Sequence, residues 1–209
     1  MEIPCHRATF LTNMIKVYLL HGAGAGHQSD FLQSFKQRFE DEVGLQVNPV
    51  TLDYMVQIET TGKMRPPPRI PKLVEEVQQK IDPETPIVLI GKSMGCRIIA
   101  ELCASHNVQA CIALGFPFYP AKKTDKHRLA HFEQTGGVPY YILQGTRDSL
   151  GNHEWVTEQN LPENVHVKWI EGADHDFRVL KRYNMSDLEV VQKLAAHCAV
   201  ILHDIDIIR

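Results

Sequence analysis

No apolar stretch in these 209 residues approaches the roughly 20 needed to span a bilayer. Glu2, Pro4 and Arg7 break up the N-terminus where a signal peptide would be uniformly apolar. An excess of one charge is missing too. Against 22 Lys plus Arg stand 25 Asp plus Glu, a formal net charge of −3, so no global field draws the chain to nucleic acid or anionic lipid. The nearest basic cluster, Lys122, Lys123, Lys126 and Arg128, reads as a solvated loop and helix start. Cysteine falls short of a framework: Cys5, Cys96, Cys103, Cys111 and Cys198 are odd in number, lack paired spacing and read as reduced core residues. Nucleic-acid and membrane partners are therefore not expected, a protein partner is not legible, and a cytoplasmic protein is the default. With 44% hydrophobic and 22% charged residues the chain has enough apolar matter for one core. The expectation is a single domain over residues 14–209, preceded by an aperiodic arm, 1–13, that is loose or lies before the natural start.

The chemistry centres on Pro86 to Cys96, P-I-V-L-I-G-K-S-M-G-C. Ile87 to Ile90 form an apolar, mostly β-branched run that reads as a strand buried on both faces, and a helical run starts at Cys96. Between them lies G-x-S-x-G, a nucleophile elbow, in which two glycines let a sharp turn lift Ser93 above a helix N-terminus. Ser93 as a plain helix N-cap is the bland alternative, and the strand–turn–helix context favours the elbow. The embedded G-K-S is not a P-loop, because Pro86 stands where that loop needs glycine.

Taken in order, Ile15 to Leu20 is a first strand ending in His21-Gly22-Ala23-Gly24-Ala25-Gly26-His27. A dinucleotide fingerprint fails there because its third glycine falls on His27. The loop instead suits close approach of a backbone N–H to a reacting oxygen, with His21 and His27 in loop packing and hydrogen bonds. Ser29 or Asp30 caps a helix with Phe31, Leu32, Phe35 and Phe39 on one face, and Gly44 follows its end. Leu45 to Leu52 is a strand. Asp53 to Arg69 reads as a long irregular segment bordering the site, closed by Arg65-Pro66-Pro67-Pro68-Arg69. Ile70, Leu73, Val74, Val77 and Ile81 mark a helix, Met94 to Ala104 another, and Ala110 to Leu114 a strand. The loop Phe116-Pro117-Phe118 comes next; it is a substrate wall or a lid on the core, and all three residues are candidate substrate contacts. A helix near Lys126 to Gln134 carries His127 and His131 at i, i+4, but Arg128 replaces the glutamate of H-E-x-x-H and no third ligand is evident, so no metal is expected. Val138 to Gln144 and Val165 to Ile170 are strands, with a helix over Glu154 to Gln159 between them. A closing helix capped by Ser186 or Asp187 runs to about Leu202, its inner side Leu188, Val191, Leu194, Ala195 and Cys198. Six strands alternating with helices imply an α/β fold with a parallel sheet and a ligand site beyond the carboxyl ends of the strands.

A serine needs a base, and the base needs an orienting group. Asp148 and His175 stand at the ends of the two strands that come last, in the order Ser, Asp, His that elbow-type hydrolases use. Asp174 or Asp176 are alternative partners for His175. In H-G-A-G-A-G, G-K-S-M-G-C-R, L-G-F-P-F-Y-P, L-Q-G-T-R-D and G-A-D-H-D-F the chain resembles the α/β-hydrolases from Met14 onward. Within them it is similar to the small, cap-poor branch of testis-expressed protein 30 and the hydrolase-like domain of NSL-complex subunit 3, with dienelactone hydrolases more distant. The resemblance implies an α/β-hydrolase fold, a six-stranded, mostly parallel sheet of order 2-1-3-4-5-6 with helices on both faces and little or no cap. It also implies Ser93 as nucleophile, Asp148 as acid, His175 as base, and an oxyanion hole from the backbone N–H groups of Ala23 and Met94. No cofactor is implied. Cys96 departs from that branch, which commonly carries a third glycine there. A serine hydrolase acting on a small carboxylic ester, thioester or related acyl compound is the expected function; a catalytically silent binding module of the same fold is the alternative.

Overall fold

All six residues of β3 (Ile87–Lys92) are buried, the apolar run Ile87 to Ile90 as expected and Gly91 and Lys92 with it. The computed structural model describes residues 15–104 and 107–208, so the expected arm 1–13, with Cys5, lies outside the described residues. Around β3 stand β1 (Lys16–Leu20), β2 (Val47–Val50), β4 (Val108–Leu114), β5 (Tyr140–Gly145) and β6 (Val165–Ile170), in the order β2-β1-β3-β4-β5-β6. Every neighbouring pair is parallel.

Because side chains alternate along a strand, each strand feeds two cores. Val88 and Ile90 of β3 join Val17, Leu19, Ile112 and Leu114 beneath α1 (Asp30–Val43) and α6 (Asp187–Asp204). Ile87 and Leu89 join Tyr18, Leu20, Cys111 and Ala113 on the other face. That face is covered by α2 (Asp53–Thr61), α3 (Ile70–Lys80), α4 (Met94–Leu102) and the short α5 (His153–Thr157). Helix α1 buries Leu32, Phe35 and Phe39 and stops at Gly44, whose φ of 75° lets its N–H return to Glu40 O. Helix α6 opens with a capping box in which Ser186 Oγ accepts from Glu189 N and the Glu189 carboxylate accepts from Ser186 N. Among the described residues no helix is long and apolar enough to cross a membrane.

Three expectations about elements need correction. The segment after Asp53 is not irregular throughout: α2 occupies its first half, burying Tyr54 and Met55 and ending at Gly62 in the left-handed region. Its signal is weak because Leu52 supplies no capping side chain, and Thr60 and Thr61 turn their hydroxyls back onto the carbonyls of Val56 and Gln57. The helix expected near Lys126 to Gln134 is a pair of 3₁₀ turns, Thr124–Lys126 and Leu129–Gln134, of which only Phe132 is buried. With a single anchor and with Pro120 before it and Gly136 and Gly137 after it, the stretch has no apolar stripe to hold a longer helix. Leu188, expected on the inner side of α6, is 50% exposed, because it lies in the first turn of that helix and faces an open cavity rather than the core.

Candidate active site

The register brings the carboxyl ends of the central strands level, with Leu20 opposite Gly91, and Lys92 opposite Leu114. The loops that leave these strands therefore meet above one edge. At Ser93 the chain turns with φ 52° and ψ −109°, a region that costs a non-glycine residue energy. The flanking glycines make the turn possible. A Cβ on Gly91 would lie 2.5 Å from the carbonyl carbon of Gly95, and one on Gly95 would lie 2.7 Å from Leu20 O. The fixed letters of G-x-S-x-G are thus demanded by the contact of α4 with β3 and β1.

Ser93 Oγ lies 2.8 Å from His175 Nε2 and donates to it when that nitrogen is unprotonated. His175 Nδ1 donates to Asp148 Oδ2, also at 2.8 Å. Asp148 is fully buried, and two further donors complete its carboxylate: Gln144 Nε2 to Oδ2 at 2.9 Å and Leu150 N to Oδ1 at 2.7 Å. Asp174 is engaged elsewhere, its Oδ1 accepting from the backbone N–H groups of Asp176 and Arg178, and Asp176 is exposed. Among the carboxylates weighed for His175, the structure brings Asp148 to it.

The glycine loop after β1 is held from below. His21, completely buried, donates from Nδ1 to Gly22 O at 2.7 Å and accepts Leu52 N at Nε2 at 3.1 Å, which requires a neutral ring. Burial pushes its pKa down to about 4. Tyr54 donates its hydroxyl to Gly22 O and Ala23 O at 3.2 and 3.0 Å, and burial raises its pKa to about 12. His27 stands edge-on to His21, with ring centroids 5.4 Å apart, and bonds Val50 O. Both histidines are thus loop supports. Ala23 and Ser93 line a cavity of about 1060 Å³ together with Phe31, Leu150, His175 and Phe177. The N–H of Met94, first residue of α4, has no acceptor within its own helix by virtue of its position.

The aromatic loop lies elsewhere. Phe116 and Phe118 are fully buried, with Pro117 buried between them. Phe116 packs on Phe132 at 4.7 Å between centroids and on Phe118 at 5.0 Å. None of the three lines the cavity; the apolar wall comes from Phe31, Leu32, Phe177, Leu188 and Val191. Of the loop's two readings the lid on the core is the one observed, with Phe116 packed against Phe132 and Tyr140 and the rings of Phe116 and Phe118 shut off from solvent. His131 is engaged at both nitrogens, by Glu101 Oε1 at 2.5 Å and by Arg97 Nε at 3.0 Å, while His127 lies near Trp155. Cys96 fits beneath the elbow with its thiol donating to Gly91 O at 3.0 Å, and burial lifts its pKa to about 12.

Gln144, Tyr54 and Lys92 are parts of the site that the sequence pattern does not reveal, whereas His21 has the loop-packing role expected of it. Each of the three is a polar side chain inside or beside an apolar strand or helix, which is the one signal that points to them.

A family model described as an alpha/beta hydrolase domain matches residues 13–203. No curated protein matches the sequence significantly. Solved structures share the fold: an alpha-beta serine hydrolase homologue from Coxiella burnetii has 16% identity and a TM-score of 0.61 over 88% of this chain and 84% of that one. Est1E from Butyrivibrio proteoclasticus, solved with ferulic acid bound, has 14% identity and a TM-score of 0.59 over 90% of each chain. Mouse alpha/beta hydrolase domain-containing protein 10 has 13% identity and a TM-score of 0.58, again over 90% of each. At such identities the likeness is one of fold.

Proposed function

The chain belongs to the alpha/beta hydrolase family, and from that premise we propose that it is a serine hydrolase of small carboxylic esters, thioesters or related acyl compounds. The observation that carries this reading is the unbroken line from the strained Ser93 through His175 to the buried Asp148, with 2.8 Å at both contacts. His175 Nε2 takes the hydroxyl proton as Ser93 Oγ attacks the acyl carbon, and Asp148 holds the ring in the Nδ1–H tautomer and stabilises the imidazolium that forms. Charge then develops on the former carbonyl oxygen, which the N–H groups of Ala23 and Met94 receive at the positive end of α4. His175 returns the proton to the leaving group. Water, activated by the same ring, releases the acyl group and restores Ser93.

The proposal keeps the kinship with the cap-poor branch of testis-expressed protein 30 and takes residues 14–209 as one domain. Its support is the connection between β4 and β5, which holds only two 3₁₀ turns and no helical roof. With a cleft that lacks a roof, an acyl chain buries few methylenes, each contributing about 0.8 kcal/mol, so kcat/KM stops rising after the first carbons. The direct test is labelling by a fluorophosphonate, followed by a p-nitrophenyl ester series. Labelling together with a preference for acetate to butyrate supports the reading. Absence of labelling by the folded protein would replace it with the binding-module alternative, and a gain continuing to decanoate would overturn the short-acyl assignment.

A further inference from the structure

Lys92, the residue before the nucleophile, is 8% exposed, and its ammonium turns toward the histidine loop. Nζ donates to the main-chain carbonyl of His175 at 2.8 Å. Among the described residues it is the only hydrogen-bond donor to that carbonyl, and no carboxylate stands within ion-pair distance of it. Its other neighbours are the rings of Phe177 and Phe31, with centroids 5.5 and 5.9 Å from Nζ. Those rings stack on each other at 5.6 Å and 4°. Phe177 itself sits at φ 61°, so the turn beyond His175 is held against its backbone preference. Gly115, at φ 70°, keeps the space open: a Cβ there would come within 3.4 Å of both His175 O and Lys92 Nζ.

Resting on the hydrolase reading, we propose that Lys92 is a positioning residue that fixes the base relative to the nucleophile through the His175 carbonyl. The link is short. Ser93 comes directly after Lys92, so a bond from the Lys92 side chain to the main chain of His175 ties the donor and acceptor of the first proton transfer through one residue. The other loop bonds, Arg147 N to Ala173 O, Asp174 N to Arg178 O, Phe177 N to Asp174 O and Asp176 N to Asp174 Oδ1, hold the turn together from within and from its neighbours, whereas the Lys92 bond is the one that ties the His175 carbonyl to the elbow. Burial pushes the Lys92 pKa down from the ordinary lysine range, and an amine in either protonation state still has an N–H to donate. The clamp therefore survives loss of the charge.

The test compares Lys92→Met, which keeps the stem and loses the donor, with Lys92→Arg, which keeps a donor and a cation over the rings. Rates are expressed per active site by fluorophosphonate titration, so that misfolded protein does not count. Lys92→Met is expected to lower kcat on the order of 10²-fold with KM little changed, the scale of a 1 Å misplacement. Lys92→Arg is expected to recover most of that loss. A second readout needs no turnover: the low-field proton resonance of His175 Nδ1–H against Asp148 should broaden or vanish in Lys92→Met and persist in Lys92→Arg. Equal kcat and an unchanged resonance in Lys92→Met overturn the proposal, as does an Arg variant that falls as far as the Met one. Where Lys92→Met does not fold, Lys92→Gln, whose amide is too short to span the gap, takes its place. If the parent neither labels nor turns over, the hydrolase reading fails on that result alone, and the resonance still decides whether Lys92 holds the ring.

Discussion

Among the described residues two histidines hydrogen-bond a carboxylate through Nδ1, yet only one of them stands at a candidate site. His175 meets Asp148 at 2.8 Å and His131 meets Glu101 at 2.5 Å. The difference lies at the other ring nitrogen. Nε2 of His175 faces a serine hydroxyl on a strained turn beside a cavity, whereas Nε2 of His131 accepts from the Arg97 guanidinium. Burial and the nearby cations Arg97 and Arg128 hold the His131 pKa below its ordinary value, and a guanidinium has no proton to give up at neutral pH. A carboxylate and an imidazole thus make a pair of no particular function. The third partner decides what the pair does.

The strongest way to break the comparison is to remove that third partner. Ser93→Ala is expected to abolish fluorophosphonate labelling and ester hydrolysis while the thermal midpoint moves by only a few degrees, because the hydroxyl is at the cavity and not in either core. Labelling of the variant at the parent's stoichiometry would assign the nucleophile elsewhere. Next in size is Asp148→Asn, expected to cost about 10⁴-fold in kcat by favouring the wrong tautomer of His175. Asp174→Asn, which touches only its own loop, should leave kcat within about threefold; parity of the two losses would move the orienting role.

A third histidine sharpens the contrast, since His21 bonds only backbone groups and stays neutral. Its folded pKa of about 4 lies below the unfolded value near 6.5, so the unfolded chain binds the extra proton between those limits. Stability contributed by the neutral ring is complete above pH 6.5 and is lost as pH falls toward 4, by at most about 3 kcal/mol. Urea unfolding at pH 7 and pH 5 should show that loss, and His21→Gln should reduce it. A pH dependence identical in parent and variant would mean that His21 contributes nothing to it. The smallest effect is expected at the second pair. Glu101→Gln should change kcat less than twofold and stability by about 1 kcal/mol, as for one hydrogen bond in a partly exposed site. A large loss of activity there would mean that the Arg97 side of α4 reaches the chemistry.

The elbow is legible in the sequence because its demands are local. A Cβ on Gly91 would strike the backbone of Gly95 and Cys96 within the same few residues, and the strand before and the helix after adjoin them; the contacts of Gly95 with Leu20 and His21 alone reach to β1. The core strands are readable for a related reason: a run buried on both faces admits few polar letters, and the order and parallel sense of the sheet match those of the resemblance. Weak capping hides the short helix α2, and the stretch near Lys126 to Gln134 forms 3₁₀ turns rather than a helix because Phe132 is its one buried anchor. Which of three aspartates meets His175, whether Phe116 and Phe118 face a ligand or the core, and which lysine reaches the histidine loop were decided only by tertiary structure. Those questions concern residues far apart in the chain. Asp148 and His175 are 27 positions apart, and Lys92 and His175 are 83. Their meeting depends on how far each strand runs before it ends and on the angle at which its loop leaves the sheet, and no spacing of letters records either quantity.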